Sequence, residues 1–561
     1  MRVLFLYNEV ECLAIQYLSA ALRRAGHETA LLFDPRLFDG FRKEYNNRLF
    51  ARMASFKKEI LARVEEFKPD VVGFSVLTAN AEWCEGYARE IRERLPDTTI
   101  VAGGYHATTC TEPMLRTGLY DWIIRGEGED GLVRLVDGLA AGEVDRTIPN
   151  LAWIDEGDRY CENPLQPYEA DVDRYAEPDK DLFLQLGTPF HVGHLSEWRR
   201  GCPWGCTFCG NNAYRRMYYP DRPDYMYTRE FLRSRSVDRV LAELRHVKAA
   251  HDPKILRVND DDICADEEWL RELSEKMTDA ERIPFKCFAI PNNINERTIV
   301  YLKKIGCAQI QMGVQSLNPE IRKMLGRPNS EQQIARAIDL CRQHEIGLFV
   351  DQIFGLPGET EDDLKKVEAF YQEHVPDCVS IYWLDIWAGA DILQQSVDAG
   401  TITQETADAI KAYAEEGDIS TFRRYHNDFA KPYAWRIDTR NVFGKRTADF
   451  LIKTGLYKLV GRFNLFRFPR TWRVLKNWNH LHAFPPAREV YDITWARYPR
   501  MMGHYLKLRV KLWLGLAKGV PMGVLPPAAE VDASTWTTGP SARAGVAEPA
   551  ILPLGGQSKA S

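Results

Sequence analysis

Nowhere in its 561 residues does the sequence hold an apolar run of the ~18 residues a helix needs to cross a bilayer. A membrane-spanning helix is thereby excluded. The apolar opening, Met1 to Glu9, is short and has no cleavage-site pattern, so it reads as a first β-strand and not as a signal peptide. A cytoplasmic location is the expectation. A cysteine framework is also missing. Of 12 cysteines, nine (Cys12, Cys84, Cys110, Cys161, Cys264, Cys287, Cys307, Cys341 and Cys378) are scattered without pattern. That excludes a disulfide-stapled secreted fold and points to reduced, buried thiols. No recognised nucleic-acid module occurs. What remains is ordinary for a globular chain, with 45% hydrophobic and 27% charged residues. Its length suggests about three or four domains.

The other three cysteines are grouped. Cys202, Cys206 and Cys209 lie in the run Arg-Arg-Gly-Cys-Pro-Trp-Gly-Cys-Thr-Phe-Cys-Gly, with C-x3-C-x2-C spacing. Iron–sulfur clusters are held by Cys thiolates, usually four. Three on one loop can hold three irons of a 4Fe–4S cluster and leave the fourth iron open to a small molecule. Two other readings are a zinc site and three unrelated buried thiols. Zinc takes four ligands, commonly in paired short spacings, and no Cys or His follows Cys209 closely. The loop resembles the signature of the radical S-adenosylmethionine (SAM) enzymes. That resemblance implies that the open iron chelates SAM and that one electron, from a donor such as a flavodoxin or ferredoxin, cleaves it to a 5′-deoxyadenosyl radical.

Around this loop the sequence alternates between strand and helix patterns, which argues an α/β fold with parallel sheets. Strands are expected at 2–7, 29–33, 71–76, 99–102 and 122–124, then at 193–199, 255–259, 285–290, 308–314, 347–354 and 378–385. The first set predicts a doubly wound, flavodoxin-like sheet over 1–144. The second resembles the partial six-stranded β/α barrel of radical SAM enzymes, over 191–394. Residues 145–190 read as an irregular linker, 395–519 as a helical basic domain, and 520–561 as a disordered tail.

In such folds ligands bind at the carboxyl ends of the strands. The resemblance places SAM contacts at Phe208, Asn259, Asp260, Gln315, Ser316, Ile353 and Gly355. Carboxylate or amide oxygens after the second barrel strand suit the SAM ammonium. Gln315 stands where the family commonly has Glu. In the N-terminal sheet the strand ends carry Tyr7, Asn8, Ser75, Val76, Gly103, Gly104, His106, Gly126 and Glu127. Adjacent glycines after a strand permit close backbone approach, and this set resembles the cobalamin-binding domain that precedes many radical SAM cores. The D-x-H-x-x-G motif that supplies a His to cobalt is absent, and His106 reads as a loop histidine that hydrogen-bonds.

The order of domains is that of the cobalamin-dependent radical SAM family. It implies methyl transfer from methylcobalamin to an unactivated carbon or to phosphorus of a small molecule, through a substrate radical. An oxidative cyclisation of the anaerobic porphyrin cyclase kind is the second expectation. A cobalamin sensor with a structural cluster is the third.

The net charge of −6 conceals an asymmetry: from Lys431 to Gly519 there are 19 Lys or Arg against 4 Asp or Glu. The stretch 505–518 mixes Leu, Val and Trp with Lys and Arg, as membrane-surface helices do. A helix laid across the barrel with its basic side in water is the preferred reading, and a basic cap over the barrel mouth is expected of 395–519.

Overall fold

The computed structural model describes all residues except 40–45, 188–189, 192, 220–230, 328, 413–428, 444, 464–499 and 529–561. They form two compact units. The first gathers the described residues of 1–166, 175–192 and 497–561, and the second those of 167–174 and 193–496.

The first unit is built on β1 (Arg2–Asn8), β2 (Glu28–Asp34), β3 (Val71–Ser75), β4 (Thr99–Gly103) and β5 (Trp122–Ile124). They are parallel and ordered β2-β1-β3-β4-β5, so the winding reverses between β1 and β3. A switch point of this kind opens a crevice at the strand ends. β1 and β2 are buried almost throughout, as expected of strands covered on both faces. The covering helices carry matching stripes. Ala81–Arg94 buries Ala81, Cys84, Ala88 and Ile91 at helical spacing.

Two expectations fail here. The segment 145–190 is only partly irregular. It contributes β6 (Leu151–Ile154) and β7 (Tyr160–Glu162), an antiparallel hairpin that continues the sheet past β5. Its Asp155–Asp158 turn hid a short hairpin among polar residues.

The second unit holds β8 (Gly193–Ser196), β9 (Ile255–Val258), β10 (Phe285–Ala289), β11 (Cys307–Gln315), β12 (Gly347–Phe354) and β13 (Cys378–Trp383). All six are parallel and follow one another in chain order across the sheet, the connectivity of a partial β/α barrel. In β12, Leu348, Val350 and Phe354 join the apolar core, while Phe349, Asp351 and Ile353 take the other face. Helices that return from the strand ends begin with capping boxes at Asn295, Ser330 and Thr360, which satisfy their first N–H groups.

The second failure concerns the C-terminal third. The residues expected as one basic domain divide: 395–463 belong to the second unit, and 500–519 to the first. Lys431–Val442 packs on β13, where Asn441 Oδ1 accepts from Val379 N at 3.1 Å and Nδ2 donates to Val379 O at 2.7 Å. The proposed cap falls partly on 413–428 and 464–499, outside the described residues. The supposed tail starts with a strand, β14 (Met522–Leu525), which pairs antiparallel with β2. A side chain at Gly523 would strike the Leu182 carbonyl, so only glycine fits. The surrounding Pro and Ala masked these four residues. The remainder of the tail, 529–561, lies outside the described residues.

Candidate functional site

In the second unit the three cysteines come together. Gly201, at φ +81, leads out of β8 into the loop, and Cys209 caps the helix Gly210–Tyr218. Trp204, Cys206 and Ile290 form a small buried group with Cys202, Phe208 and Cys209 packed on it. Burial pushes the Cys202 thiol up, aided by Asp261, Asp262 and Cys206, and pushes Cys209 up to about 12. Opposing this are main-chain N–H groups of Trp204 and Asn211 and the guanidinium of Arg327. Burial disfavours the charge of Arg327, yet the pull of Cys206, Cys202 and Cys209 outweighs it and the pKa is raised. A buried cation, amide hydrogens and a helix N-terminus all favour thiolate, the form that binds iron. Cys264 sits in the core beside Cys307 and Thr298 and offers no fourth ligand. Among the described residues no group of His, Cys, Asp or Glu surrounds a single ion. A cluster instead meets each thiolate at its own iron, which these three thiols fit.

Arg327 was not foreseen from the sequence. It donates to Gly313 O at 3.2 Å and stands over the Phe208 ring at 5.7 Å. A Cβ on Gly313 would lie 2.7 Å from Gln315 Nε2 and 3.6 Å from Arg327, so that glycine keeps the contact open. Gln315 has φ +71, at a register shift between β11 and β12. A non-glycine residue held there is strained, and such strain concentrates at functional sites. Phe208, Gly313 and the thiols thus meet through one guanidinium. Ser316 follows, its hydroxyl accepting from Asn318 N.

The acidic strand end divides its work in a way the sequence did not disclose. Asp260 Oδ1 accepts from the main-chain N of Trp198 (2.8 Å) and Arg199 (3.1 Å), and Oδ2 from Arg199 Nε (3.1 Å). Both oxygens hold the entrance to the cysteine loop, so Asp260 positions that loop. Asn259 differs: its Oδ1 is buried and takes no hydrogen bond. So is the Oδ1 of Asn292, at the end of β10. Asp262 accepts from Trp204 Nε1 (3.3 Å) and Asn293 Nδ2 (2.6 Å), and Asp261 from Asn211 (2.7 Å). Asp261 itself is exposed. Unsatisfied acceptors beside carboxylates suit an ammonium donor. Gly355, at φ +82, donates to Glu359 (2.7 Å) just past Ile353.

On the same face of β12 as Ile353, Gln311 Nε2 donates to Asp351 Oδ2 at 2.8 Å and reaches Tyr382 at 3.4 Å. Oδ1 of Asp351 is buried without a hydrogen bond. Its carboxyl is pushed up to about 7 by burial, against the pull of Gln311 and Arg327.

In the first unit the strand ends interlock. Val76 N donates to Gly103 O (2.8 Å), and His106 N to Val76 O (3.0 Å). Gly104 has φ +94, and a Cβ there would lie 2.9 Å from Val76 O. The close approach that requires this glycine is therefore made by the chain itself. His106 is 2% exposed, with Nδ1 3.2 Å from Thr78 Oγ1. Gly126, at φ +66, donates to Thr108 Oγ1 (2.9 Å), and Glu127 O accepts from Asn150 (2.9 Å). At the β1 end, Tyr7 is buried. The amide Nδ2 of Asn8 is buried without a hydrogen bond at the switch point. A glycine-lined crevice with an unsatisfied donor fits a large ligand rich in amide carbonyls, as a corrin is.

Two sequence families match the chain: the B12 binding domain over 3–136 and the Radical SAM superfamily over 197–371. Among curated relatives, an uncharacterized methyltransferase of Pyrococcus horikoshii is 27% identical over 325 residues, covering 56% of this chain and 66% of that protein. The anaerobic magnesium-protoporphyrin IX monomethyl ester cyclase of Rubrivivax gelatinosus is 23% identical over 359 residues, covering 61% and 60%. The matches thus span less than two thirds of those proteins' own lengths. Among solved structures, the cobalamin-dependent S-adenosylmethionine radical enzyme OxsB, with aqua-cobalamin and S-adenosylmethionine bound, superposes with a TM-score of 0.56 at 16% identity, covering 92% of this chain and 81% of that one. It shares the fold.

Proposed function

We propose that this chain, which joins a B12-binding domain to a radical SAM domain, is a cobalamin-dependent methyltransferase for an unactivated carbon or phosphorus centre of a small molecule. When bound, the cluster and SAM supply a 5′-deoxyadenosyl radical and cobalamin supplies the methyl group. The observation that carries the reading is the gathering of three thiols, and only three among the neighbouring cysteines, against the buried Arg327.

The residues divide the work as follows. Cys202, Cys206 and Cys209 hold the cluster, and Arg327 offsets the negative charge of their thiolates. Asn259 accepts from the SAM ammonium, Gln315 and Ser316 meet the ribose, and Phe208, Ile353 and Gly355 shape the adenosyl pocket. Asp260 and Arg199 fix the cysteine loop that carries the cluster ligands. In the first unit Asn8, Ser75, Val76, Gly103, Gly104, Gly126 and Glu127 line the corrin crevice, and His106 braces it from within. An external one-electron donor completes the system. Asp351, Gln311 and Tyr382 offer polar contacts to a substrate on the barrel's inner face. Enclosing the reaction there keeps water and stray donors from a carbon radical.

The test is anaerobic reconstitution, reduction and product mass with candidate substrates. Gain of a methylene supports methyl transfer. Loss of hydrogens instead supports the oxidative cyclisation that the cyclase relative performs. No SAM cleavage after reduction would leave the sensor reading.

A further inference from the structure

Large apolar side chains left in water are informative when they cluster. Among the described residues nine are more than half exposed, and all nine lie in three short stretches: 49–53, 450–463 and 513–516. The second and third fall inside the segment where Lys and Arg outnumber Asp and Glu by 19 to 4.

In the first unit a helix covers 500–513. Its inner face is fixed. Tyr505 packs on Phe33 (6.2 Å) and Phe56 (5.7 Å), and Arg509 pairs with Glu59 at 2.6 Å and lies 4.1 Å from the Phe56 ring centre. The outer face and the turn after it expose Trp513 (60%), Leu514 (66%) and Leu516 (73%) among Lys507, Lys511 and Lys518. No Asp or Glu occurs from Ile493 to Ala529. In the second unit, Lys445–Lys453 and Tyr457–Arg462 expose Phe450 and Leu459, with Phe463 just beyond, among Lys445, Arg446, Lys453, Lys458 and Arg462. The acid there, Asp449, is paired with Arg440.

Apolar side chains interleaved with lysines along an anchored helix match a lipid–water interface. The apolar groups enter the acyl boundary, the ammonium groups reach the phosphates, and Trp favours headgroup depth. No described helix is long and apolar enough to cross a membrane, so the contact is peripheral. An acidic protein would also satisfy the charge. On this one helix end, however, Trp513, Leu514 and Leu516 gather with lysines and without any acid from Ile493 to Ala529, which suits insertion at a lipid surface better than a polar docking patch.

We propose that this chain binds the surface of an anionic lipid bilayer through the outer face of the helix over 500–513, and that Lys445–Arg462 carries a second face of the same chemistry. The full-length protein is sedimented with vesicles of phosphatidylcholine alone and with about a third phosphatidylglycerol. Binding is expected to the anionic vesicles and to weaken sharply without the anionic lipid. Replacing Lys507, Lys511 and Lys518 by Gln should lower partition roughly 100-fold, at about 5-fold per charge. The triple change Trp513→Ser, Leu514→Ser, Leu516→Ser should lower it at least about 10-fold, and Phe450→Ser with Leu459→Ser should weaken it independently. These side chains are exposed, so melting temperature and SAM cleavage should stay at parent values. Absence of binding to anionic vesicles overturns the proposal, as does binding that survives all three sets of changes. Loss of flavodoxin binding in the same variants, without any vesicle binding, would assign the surface to a protein.

Discussion

Asp351 provides a test of the barrel interior that needs neither substrate nor cofactor. Its carboxyl lies on the inner face of β12, bonded through one oxygen to Gln311, with the other oxygen buried and unbonded. Burial raises its pKa from an ordinary 3.8 to about 7. The folded chain therefore holds the proton where the unfolded chain has released it. Below about pH 4 both states are protonated and the residue costs nothing. As pH rises from about 4 to about 7 the cost grows, and above that it is constant. At 1.36 kcal/mol per unit the shift amounts to an upper limit of about 4 kcal/mol. Asp351→Asn keeps an oxygen for Gln311 and has nothing to ionise. It should melt with the parent near pH 4 and above it at pH 8, by on the order of 5–10 °C for a unit of this size. Thermal unfolding of the cofactor-free proteins at pH 5, 6, 7 and 8 reads the difference. A gain that is the same at every pH, or largest in acid, would show that the carboxyl titrates normally and that the lumen is wet. Because Arg327 opposes the shift, Arg327→Gln should push the Asp351 midpoint higher still.

Alanine at Cys202, Cys206 or Cys209 should abolish cluster absorbance and SAM cleavage together, whereas Cys264→Ala should keep both; loss of the cluster in the latter would change the ligand set. Arg327→Gln removes a buried positive charge beside the thiolates and should lower the cluster's midpoint potential by on the order of 50–100 mV, followed by paramagnetic resonance during redox titration; an unmoved midpoint would contradict the contact. Gly104→Ala forces a side chain onto the Val76 backbone at φ +94 and ψ −177, a region essentially reserved for glycine, costing on the order of 1–3 kcal/mol locally. It should reduce cobalamin retained after reconstitution, and stoichiometric retention would argue against the crevice.

Much of this architecture is visible in the amino acids because its strands are short apolar runs that alternate with amphipathic helices. The cysteine triplet is visible because its spacing is local. What stayed hidden depends on which way a side chain turns, or on a partner far away in the chain. Asn259 and Asp260 are adjacent and chemically similar, yet the Oδ1 of one is buried without a hydrogen bond and the carboxylate of the other is bonded to Arg199. Nothing local separates them. Arg327 follows a helix and turn with no motif, and its meaning comes from the thiols it meets. Asp351 could have been noticed as the one acid in Gly347–Phe354, an otherwise uncharged strand. The hairpin at 151–162 and the strand at 522–525 were missed because three or four residues among polar or Pro-rich neighbours give too little periodicity.

The pairing of Met522–Leu525 with Glu28–Asp34 has a bearing on how the protein is made. The strand next to the N-terminal one emerges from the ribosome early, but its edge partner follows nearly five hundred residues later. At roughly 5–20 residues per second that interval is on the order of 25–100 s. Throughout it the edge of β2 is bare, and a bare sheet edge recruits strands from other chains. The entire barrel unit must be synthesised before the first sheet can close. A shortened version ending before about residue 519 would retain every cofactor ligand named above and still leave that edge open. Its fault would appear as poor recovery and self-association during expression, while the chemistry of the molecules that did survive stayed intact.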